Sequence, residues 1–188
     1  RAREAGAEVV YEPAPGYGAA CLRALAGLDD GDVVAFLVAD GSDDPAELPR
    51  VLAPLAEGRA DLVIGSRVLG RVEPGAMPAF QRVGNVAATA GLTLRFGRKV
   101  TDLGPFRAIR RDALARLAMR DRTWGWTLEM QIKAARAGLR VEEVPVSWRN
   151  RRGGAPKIGG TLRGSIAASR VILSWLAAAA LGPRFDPR

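Results

Sequence analysis

The residues best suited to chemistry form one short acidic cluster. Asp40, Ser42, Asp43 and Asp44 follow directly on seven consecutive apolar residues, 33–39. A carboxylate beside a hydroxyl offers hard oxygen donors, and Mg²⁺ in proteins is usually held by one or two carboxylates together with substrate phosphates. We therefore predict that Asp40 binds a hard divalent cation. Acidic residues are also common in turns for structural reasons, so a purely structural role remains open at this point.

The neighbouring acids have a structural use that leaves Asp40 free. Asp44, Pro45 and Glu47 fit the N-cap, N1 and N3 positions of a capping box at the start of the next helix. Asp43 and Asp44 can serve this purpose, so Asp40 is the acid that is left for a ligand.

The apolar run predicts the strand that positions Asp40. A short Val-rich run between turn residues is typical of a central strand buried on both faces, and ligands bind at the carboxyl ends of strands in open α/β sheets. Further strands are predicted at 8–11, 61–65, 106–109 and 139–146, and helices at 18–28, 45–57, 80–96, 112–119 and 127–137. This alternation predicts a parallel sheet with helices on both faces. Pro145 indicates that its strand lies at an edge of the sheet, and the length of the loop 66–78 predicts a binding loop.

The length and composition indicate one domain with an anionic partner. The chain has 188 residues, of which 48% are hydrophobic, and a net charge of +8. All basic residues except Lys99, Lys133 and Lys157 are arginines, and arginine binds phosphate in a bidentate manner. The charge alone suits a phosphorylated substrate, an anionic membrane surface or nucleic acid. No nucleic-acid-binding motif is present, so we expect no nucleic-acid partner.

The sequence also excludes several kinds of chemistry. It contains no histidine, which rules out a histidine base and histidine-bound zinc within this chain. Cys21 is the only cysteine, so neither an intrachain disulfide nor a thiolate cluster can form. If a general base is needed, the candidates are the carboxylates Asp102 and Glu129.

Seven segments occur in this order: YGAA (17–20), VADGSDDP (38–45), DLVIGSR (61–67), TDLGPFRAI (101–109), GWTLEM (125–130), EVPV (143–146) and RRGGAPKIGG (151–160). Together they resemble family 2 glycosyltransferases of the GT-A fold, and most closely the dolichyl- or polyprenyl-phosphate sugar synthases. The resemblance covers about residues 5–165. It implies an α/β, Rossmann-like three-layer sandwich with a mostly parallel central sheet.

The resemblance also implies a domain organisation. The GT-A catalytic domain is expected to occupy residues 1–160, and an amphipathic, interfacial helix and tail residues 161–188. The first strands of the family fold have no counterpart after Arg1. We expect about 50 residues, a quarter of a domain of ordinary size, to precede it, so that the fold here is N-terminally incomplete.

The activity that the resemblance implies is sugar transfer with inversion from a UDP- or GDP-linked donor to a polyprenyl-phosphate-type lipid. Mg²⁺ or Mn²⁺ would be the cofactor. The implied location is cytoplasmic and peripheral, at the anionic inner face of the membrane. The sequence indicates no oligomeric state.

Site residues follow from the motifs. The residues implied are Asp40 and Ser42 for the metal, Asp102 and Glu129 for catalysis, and Arg67, Arg107, Arg151, Arg152 and Lys157 for the donor and acceptor phosphates. Trp124 and Trp126 flank a glycine and can stack on a sugar, although core packing suits them equally well. Val38 stands where the family has the first Asp of its metal motif, and Pro156 where it has a phosphate-binding Ser.

Two alternatives remain open. The departures at Val38 and Pro156 also suit a catalytically degenerate or truncated relative that binds a lipid phosphate or a partner protein. A nucleotidyltransferase with the same sheet accounts less well for the motifs around Asp102 and Glu129.

Overall fold

The structure is a computed structural model that describes residues 2–28, 31–153, 170, 173–175 and 177. Five α-helices and four strands have defined bounds in this part of the chain. In order they are α1 (Tyr17–Leu25), β1 (Val33–Phe36), α2 (Leu48–Ala56), β2 (Leu62–Ser66), α3 (Ala79–Phe96), β3 (Arg107–Arg110), α4 (Arg111–Leu117), α5 (Trp126–Arg136) and β4 (Val141–Pro145). One turn of 3-10 helix, Pro45–Glu47, leads into α2.

The four strands form a mixed sheet in the order β1-β3-β2-β4. Strand β2 pairs in parallel with β4, whereas β3 runs antiparallel to both β1 and β2. Three of the four described strands therefore point in one direction. β4 lies at an edge, as Pro145 predicted.

The alternation of side chains along β2 builds two cores and hence three layers. Leu62 and Ile64 pack in one core with residues of α1, α4 and α5, among them Trp126. Val63 points to the opposite face and packs with Val51 and Leu55 of α2. The three-layer α/β sandwich expected from the sequence is therefore present.

The start of α2 follows the predicted cap only in part. The Asp44 carboxylate accepts a hydrogen bond from the Ala46 amide at 3.2 Å, as an N-cap should. Glu47 does not complete a capping box: its carboxylate accepts from the backbone amide of Ser147 at 2.7 Å and from the Ser147 hydroxyl at 3.1 Å. This acid therefore joins α2 to the chain just after β4.

Two strand predictions were wrong. β1 is an edge strand of the described sheet rather than a strand buried on both faces: Val34 is buried but Val33 is 38% exposed. Residues 8–11 form no strand and pair with none of the described strands. An apolar strand is buried on both faces only where neighbours cover it, and β1 has a described strand partner on one side alone.

The helix and tail expected at 161–188 fall largely outside the described residues, as does the expected domain boundary after residue 160. Residues 170, 173–175 and 177 are helical. Trp175 is 3% exposed, and its Nε1 donates to Asp121 Oδ2 at 2.9 Å. Across the described residues, no helix combines the length and the apolar character needed to cross a membrane.

Candidate active site

Asp40 lies in the turn after β1, where one arginine neutralises it. Its Oδ1 accepts from the Ser42 amide at 2.9 Å, and its Oδ2 lies 3.1 Å from Arg151 Nη2. The backbone amide of Arg152 donates to the Asp40 carbonyl at 2.9 Å. Gly41 has a φ of +86°, and a Cβ there would lie 2.9 Å from Cγ of Arg152. The glycine thus permits both the turn and the close approach of Arg152.

An open cleft of about 540 Å³ lies beside this turn. Its lining includes Ser42, Pro78, Trp148, Asn150, Arg151 and Arg152. The predicted binding loop 66–78 forms part of the wall and is held to the segment after β4: the Asn150 amide donates to Glu73 Oε2 at 2.7 Å, and Trp148 Nε1 donates to the Ala76 carbonyl at 3.1 Å. The cleft therefore combines two basic side chains, an aromatic ring and the Ser42 position.

Arg67 and Asp102 form a buried ion pair. The Asp102 carboxylate accepts from Arg67 through the backbone amide at 2.7 Å, Nε at 2.8 Å and Nη2 at 2.6 Å. Their side chains are 13% and 0% exposed, respectively. The Arg67 guanidinium also stacks over the ring of Trp148, 5.0 Å from its centroid. Asp102 is thus linked to the cleft through Arg67 and Trp148.

The turn that carries Asp102 is held by three polar side chains that the sequence analysis did not single out. Glu143 accepts from the amides of Thr101 and Asp102 at 3.0 and 3.2 Å, and Gln131 Nε2 donates to the Asp102 carbonyl at 2.8 Å. Asn85 of α3 binds the same turn, donating to the Thr101 carbonyl at 3.0 Å. Glu143 is the first residue of the EVPV motif, and its place in this motif was the only indication of its role in the sequence.

Glu129 belongs to a different polar cluster. It is fully buried, and its carboxylate accepts from the backbone amides of Arg120 and Asp121 at 2.9 and 2.8 Å. Lys133, one helical turn later, pairs with it at 2.7 Å. In the structure Glu129 therefore secures the 120–121 loop to α5, and no described contact joins it to Asp40 or Asp102.

Two further predicted residues are buried. The guanidinium of Arg107 is enclosed and donates to the carbonyls of Gly104 and Thr127, each at 3.0 Å. Burial lowers the pKa of Arg107 to about 10. Trp126 is also fully buried and packs edge-on against Phe36, whereas Trp124 is half-buried. Phosphate binding by Arg107 and sugar stacking by Trp126 thus stay predictions, and neither side chain is exposed to a ligand in the structure.

Asp43 does not help to cap the next helix, the role that the sequence suggested for it together with Asp44. It is 2% exposed and accepts from the Val38 amide at 2.7 Å through Oδ2, while its Oδ1 is buried and has no hydrogen-bond partner in the part of the chain that the structure describes. Burial raises the pKa of Asp43 to about 6. The Asp43-Asp44 pair was the only signal for this buried position in the sequence: one acid is enough to cap the helix, and Asp44 provides that cap.

The donors around Asp40 fit a cation that takes most of its ligands from a substrate. Among the described residues, no group of three acids and thiols comes together. The Asp40 carboxylate and the Ser42 hydroxyl are oxygen donors, which suit Mg²⁺ or Mn²⁺ with diphosphate oxygens completing the coordination. Lys157, the remaining predicted phosphate ligand, lies outside the described residues.

Comparison with known proteins identifies relatives. The model of the family "Glycosyl transferase family 2" matches residues 2–118. An uncharacterized glycosyltransferase of Mycobacterium tuberculosis is 44% identical over 164 residues, which are 87% of this chain and 73% of that protein. An undecaprenyl-phosphate mannosyltransferase of Micrococcus luteus is 36% identical over 146 residues, 73% of this chain and 58% of that protein.

Among solved structures, the chain is similar to glucosyl-3-phosphoglycerate synthase of M. tuberculosis in complex with Mn²⁺, UDP-glucose and phosphoglyceric acid. The TM-score is 0.72 at 24% identity, and the match covers 97% of this chain and 64% of that one. This likeness confirms the expected GT-A fold, here with a mixed sheet. The chain thus spans about two thirds of the length of this solved structure.

Proposed function

The chain belongs to glycosyl transferase family 2, and from this we propose that it transfers a sugar, with inversion, from a UDP- or GDP-linked donor to a polyprenyl-phosphate-type lipid. Asp40 and Ser42 hold the divalent cation, Mn²⁺ or Mg²⁺, which when bound stabilises the negative charge of the departing diphosphate. In this proposal the protein associates peripherally with the membrane, at its cytoplasmic face. The mannosyltransferase of M. luteus carries such a lipid phosphate in its name.

We propose a phosphate nucleophile because both candidate bases are buried. Asp102 and Glu129 are each 0% exposed, and all of their carboxylate oxygens accept hydrogen bonds within the protein. A sugar hydroxyl would need a base within reach. A phosphate monoester has a second pKa near 6 and is already mostly dianionic at neutral pH, so it needs none.

The basic segment after β4 supplies the cations for the phosphates. Arg151 and Arg152 line the cleft, and Arg151 pairs with Asp40 in the structure. A cation bound by Asp40 competes with this guanidinium for the carboxylate, and an Arg151 side chain that it displaces stays beside the cleft, where it can pair with a phosphate oxygen. Ser42 and Arg152 frame the same space. We assign Arg67 to positioning, because its guanidinium is already paired with Asp102.

The exposed face of α3 favours a lipid acceptor. Val83, Val86 and Leu94 are 68%, 64% and 88% exposed, and the helix contains no acidic residue. A helix with exposed apolar side chains and only basic charges is typical of a surface that lies on anionic lipid. We propose that this face rests on the membrane and brings the cleft to the lipid phosphate.

Calorimetry with UDP and GDP, each with and without Mn²⁺, tests the metal site. In the Asp40→Asn variant we expect the Mn²⁺-dependent part of nucleotide affinity to disappear. The matched control is Asp44→Asn in the same turn, because Asp44 caps the 3-10 turn and pairs with Arg149; it should keep the Mn²⁺ dependence. Persistence of that dependence in Asp40→Asn would contradict the assignment.

Transfer of radiolabelled sugar from UDP-glucose and GDP-mannose to undecaprenyl phosphate in anionic vesicles tests the acceptor. We expect Val83→Asp on α3 to reduce this transfer while leaving nucleotide binding unchanged. The control is Leu28→Asp, an exposed apolar residue after α1. Equal transfer by the wild type to phosphoglyceric acid without vesicles would exclude the lipid requirement.

A catalytically degenerate relative is the second candidate, and Val38 favours it. The position occupied by an acid in the family motif carries no charge here, and the Val38 amide donates to Asp43. Such a protein would bind lipid phosphate in vesicles but would show neither nucleotide binding nor transfer. The same two assays therefore separate the candidates.

A further inference from the structure

A second cavity, of about 130 Å³, lies between the carboxyl-terminal part of α3, helix α5 and strands β2 and β4. Its apolar lining consists of Ile64, Leu92, Phe96, Val100, Ala135 and Val141. None of these residues lines the cleft beside Asp40. An apolar cavity of about 150 Å³ accommodates benzene; this cavity is slightly smaller but is lined at one end by the exposed Arg98 and Lys99, so it has room for at most a single six-membered ring.

The inner end of the cavity presents hydrogen-bond acceptors. Gln131, which lines it, is 5% exposed, and its Oε1 is buried without a partner among the described residues. The orientation of this amide is fixed, because Nε2 donates to the Asp102 carbonyl and a carbonyl can only accept. Glu143, also in the lining, is an acceptor as well. A ligand therefore needs a donor group at this end.

The outer end presents positive charge. Arg98 and Lys99 line the cavity and are both exposed, just after the left-handed Gly97 that ends α3. Arg98 Nη1 donates to the Leu139 carbonyl at 3.3 Å, which ties its side chain to the segment between α5 and β4. An anionic group at the mouth is favoured by these two cations, whereas the Glu143 carboxylate disfavours an anion deeper inside.

We propose that this cavity binds a small aromatic acid with a hydroxyl or amino group opposite its carboxylate. The ring lies between α3 and α5, the donor group reaches Gln131 Oε1, and the carboxylate faces Arg98 and Lys99. Because Gln131 and Glu143 also hold the Asp102 turn, an occupant touches two of the three polar side chains that hold this turn. Direct binding tests this site independently of the proposed sugar transfer.

The probe is 4-hydroxybenzoate, titrated into the full chain by calorimetry and followed by saturation-transfer NMR. A ligand of this size that makes one good hydrogen bond and one ion contact should bind with a Kd of about 1 mM or tighter. Benzoate lacks the donor and phenol lacks the anion, and each should bind about tenfold more weakly. Equal affinity for all three compounds would overturn the assignment of polar partners.

Two variants locate the site. Ala135→Leu fills the cavity and should abolish binding, whereas Ala115→Leu, in a shallow depression between α1 and α4, should leave it intact. Lys99→Met changes an exposed side chain without touching the core, and should weaken 4-hydroxybenzoate about tenfold but leave phenol unchanged. Absence of binding by the wild type at about ten times the expected Kd, or binding unaffected by both Ala135→Leu and Lys99→Met, would overturn the proposal.

Discussion

The free energy of unfolding should fall sharply in the Asp102→Asn variant because of where Asp102 lies. Its carboxylate is fully buried, and the Arg67 side chain that it neutralises is 13% exposed. Removing one partner of a buried ion pair leaves the other charge uncompensated and costs about 3 to 5 kcal/mol. Since Arg67 retains some contact with solvent, we expect about 3 kcal/mol, a large share of the roughly 5 to 15 kcal/mol that stabilises a typical domain.

The chain contains a matched control for this prediction. Asp61 accepts from Arg140 through the same three groups, the backbone amide at 2.9 Å, Nε at 3.1 Å and Nη2 at 2.7 Å. The difference is burial, because the side chains of Arg140 and Asp61 are 56% and 19% exposed. Water can replace the lost partner there, so Asp61→Asn should cost several-fold less than Asp102→Asn.

Urea denaturation of the two variants at pH 7, followed by circular dichroism, makes the comparison. A double variant, Arg67→Met with Asp102→Leu, removes both buried charges and should be more stable than Asp102→Leu alone. Similar losses in Asp102→Asn and Asp61→Asn would show that burial does not determine the strength of this pair. Our explanation of the Asp102 turn would then be refuted.

Three other changes test further parts of the structure. Burial raises the pKa of Asp43 from 3.8 to about 6, so ionisation of this carboxyl opposes folding, and the free energy of unfolding of the wild type should fall as the pH rises from 4 through 6. The free energy of unfolding of Asp43→Asn, measured relative to the wild type by urea titration, should therefore increase by up to about 3 kcal/mol between pH 4 and pH 7. Glu129→Gln should lower stability by about 2 kcal/mol, because the new amide faces a backbone donor and Lys133 loses its partner; loss of activity with unchanged stability would instead indicate a catalytic role. Gly70→Ala should unfold the protein more readily, since its Cβ would lie 2.0 Å from a backbone oxygen, whereas Gly84→Ala, with open space on α3, should raise the melting temperature.

The elements were predictable because their signals are local. Helix α5 was expected at 127–137 and is found at Trp126–Arg136, closed by Gly138 at a φ of +67°. The position of Asp40 after β1 followed in the same way, from an apolar run that ends at an acid. Periodicity and turn residues act within a few positions of each other, so one sequence carries enough information to place them.

Partners distant in the chain were not predictable. Glu47 and Glu143 occupy positions whose local patterns suggested a cap and an edge strand, yet each binds backbone amides from elsewhere in the chain. Trp126 and Trp148 are each flanked by small or polar residues in the sequence, but the first is in the core and the second lines the cleft. Side-chain burial depends on how the layers pack, and no local rule contains that information.

The arginines show the same limit of prediction from sequence, and they also help to define which residues belong to the proposed site. Four described arginines were expected at phosphates on motif alone, and an arginine becomes available to a ligand only if the interior does not need its charge. Arg107 donates to buried carbonyls and Arg67 neutralises a buried acid, so the fold itself holds both guanidinium groups. Arg151 and Arg152 instead lie on the open cleft next to Asp40. A guanidinium that is exchanged between a carboxylate and a phosphate must be partly exposed, and for that reason substitutions at Arg151 and Arg152 should affect phosphate binding, whereas those at Arg67 and Arg107 should first affect folding.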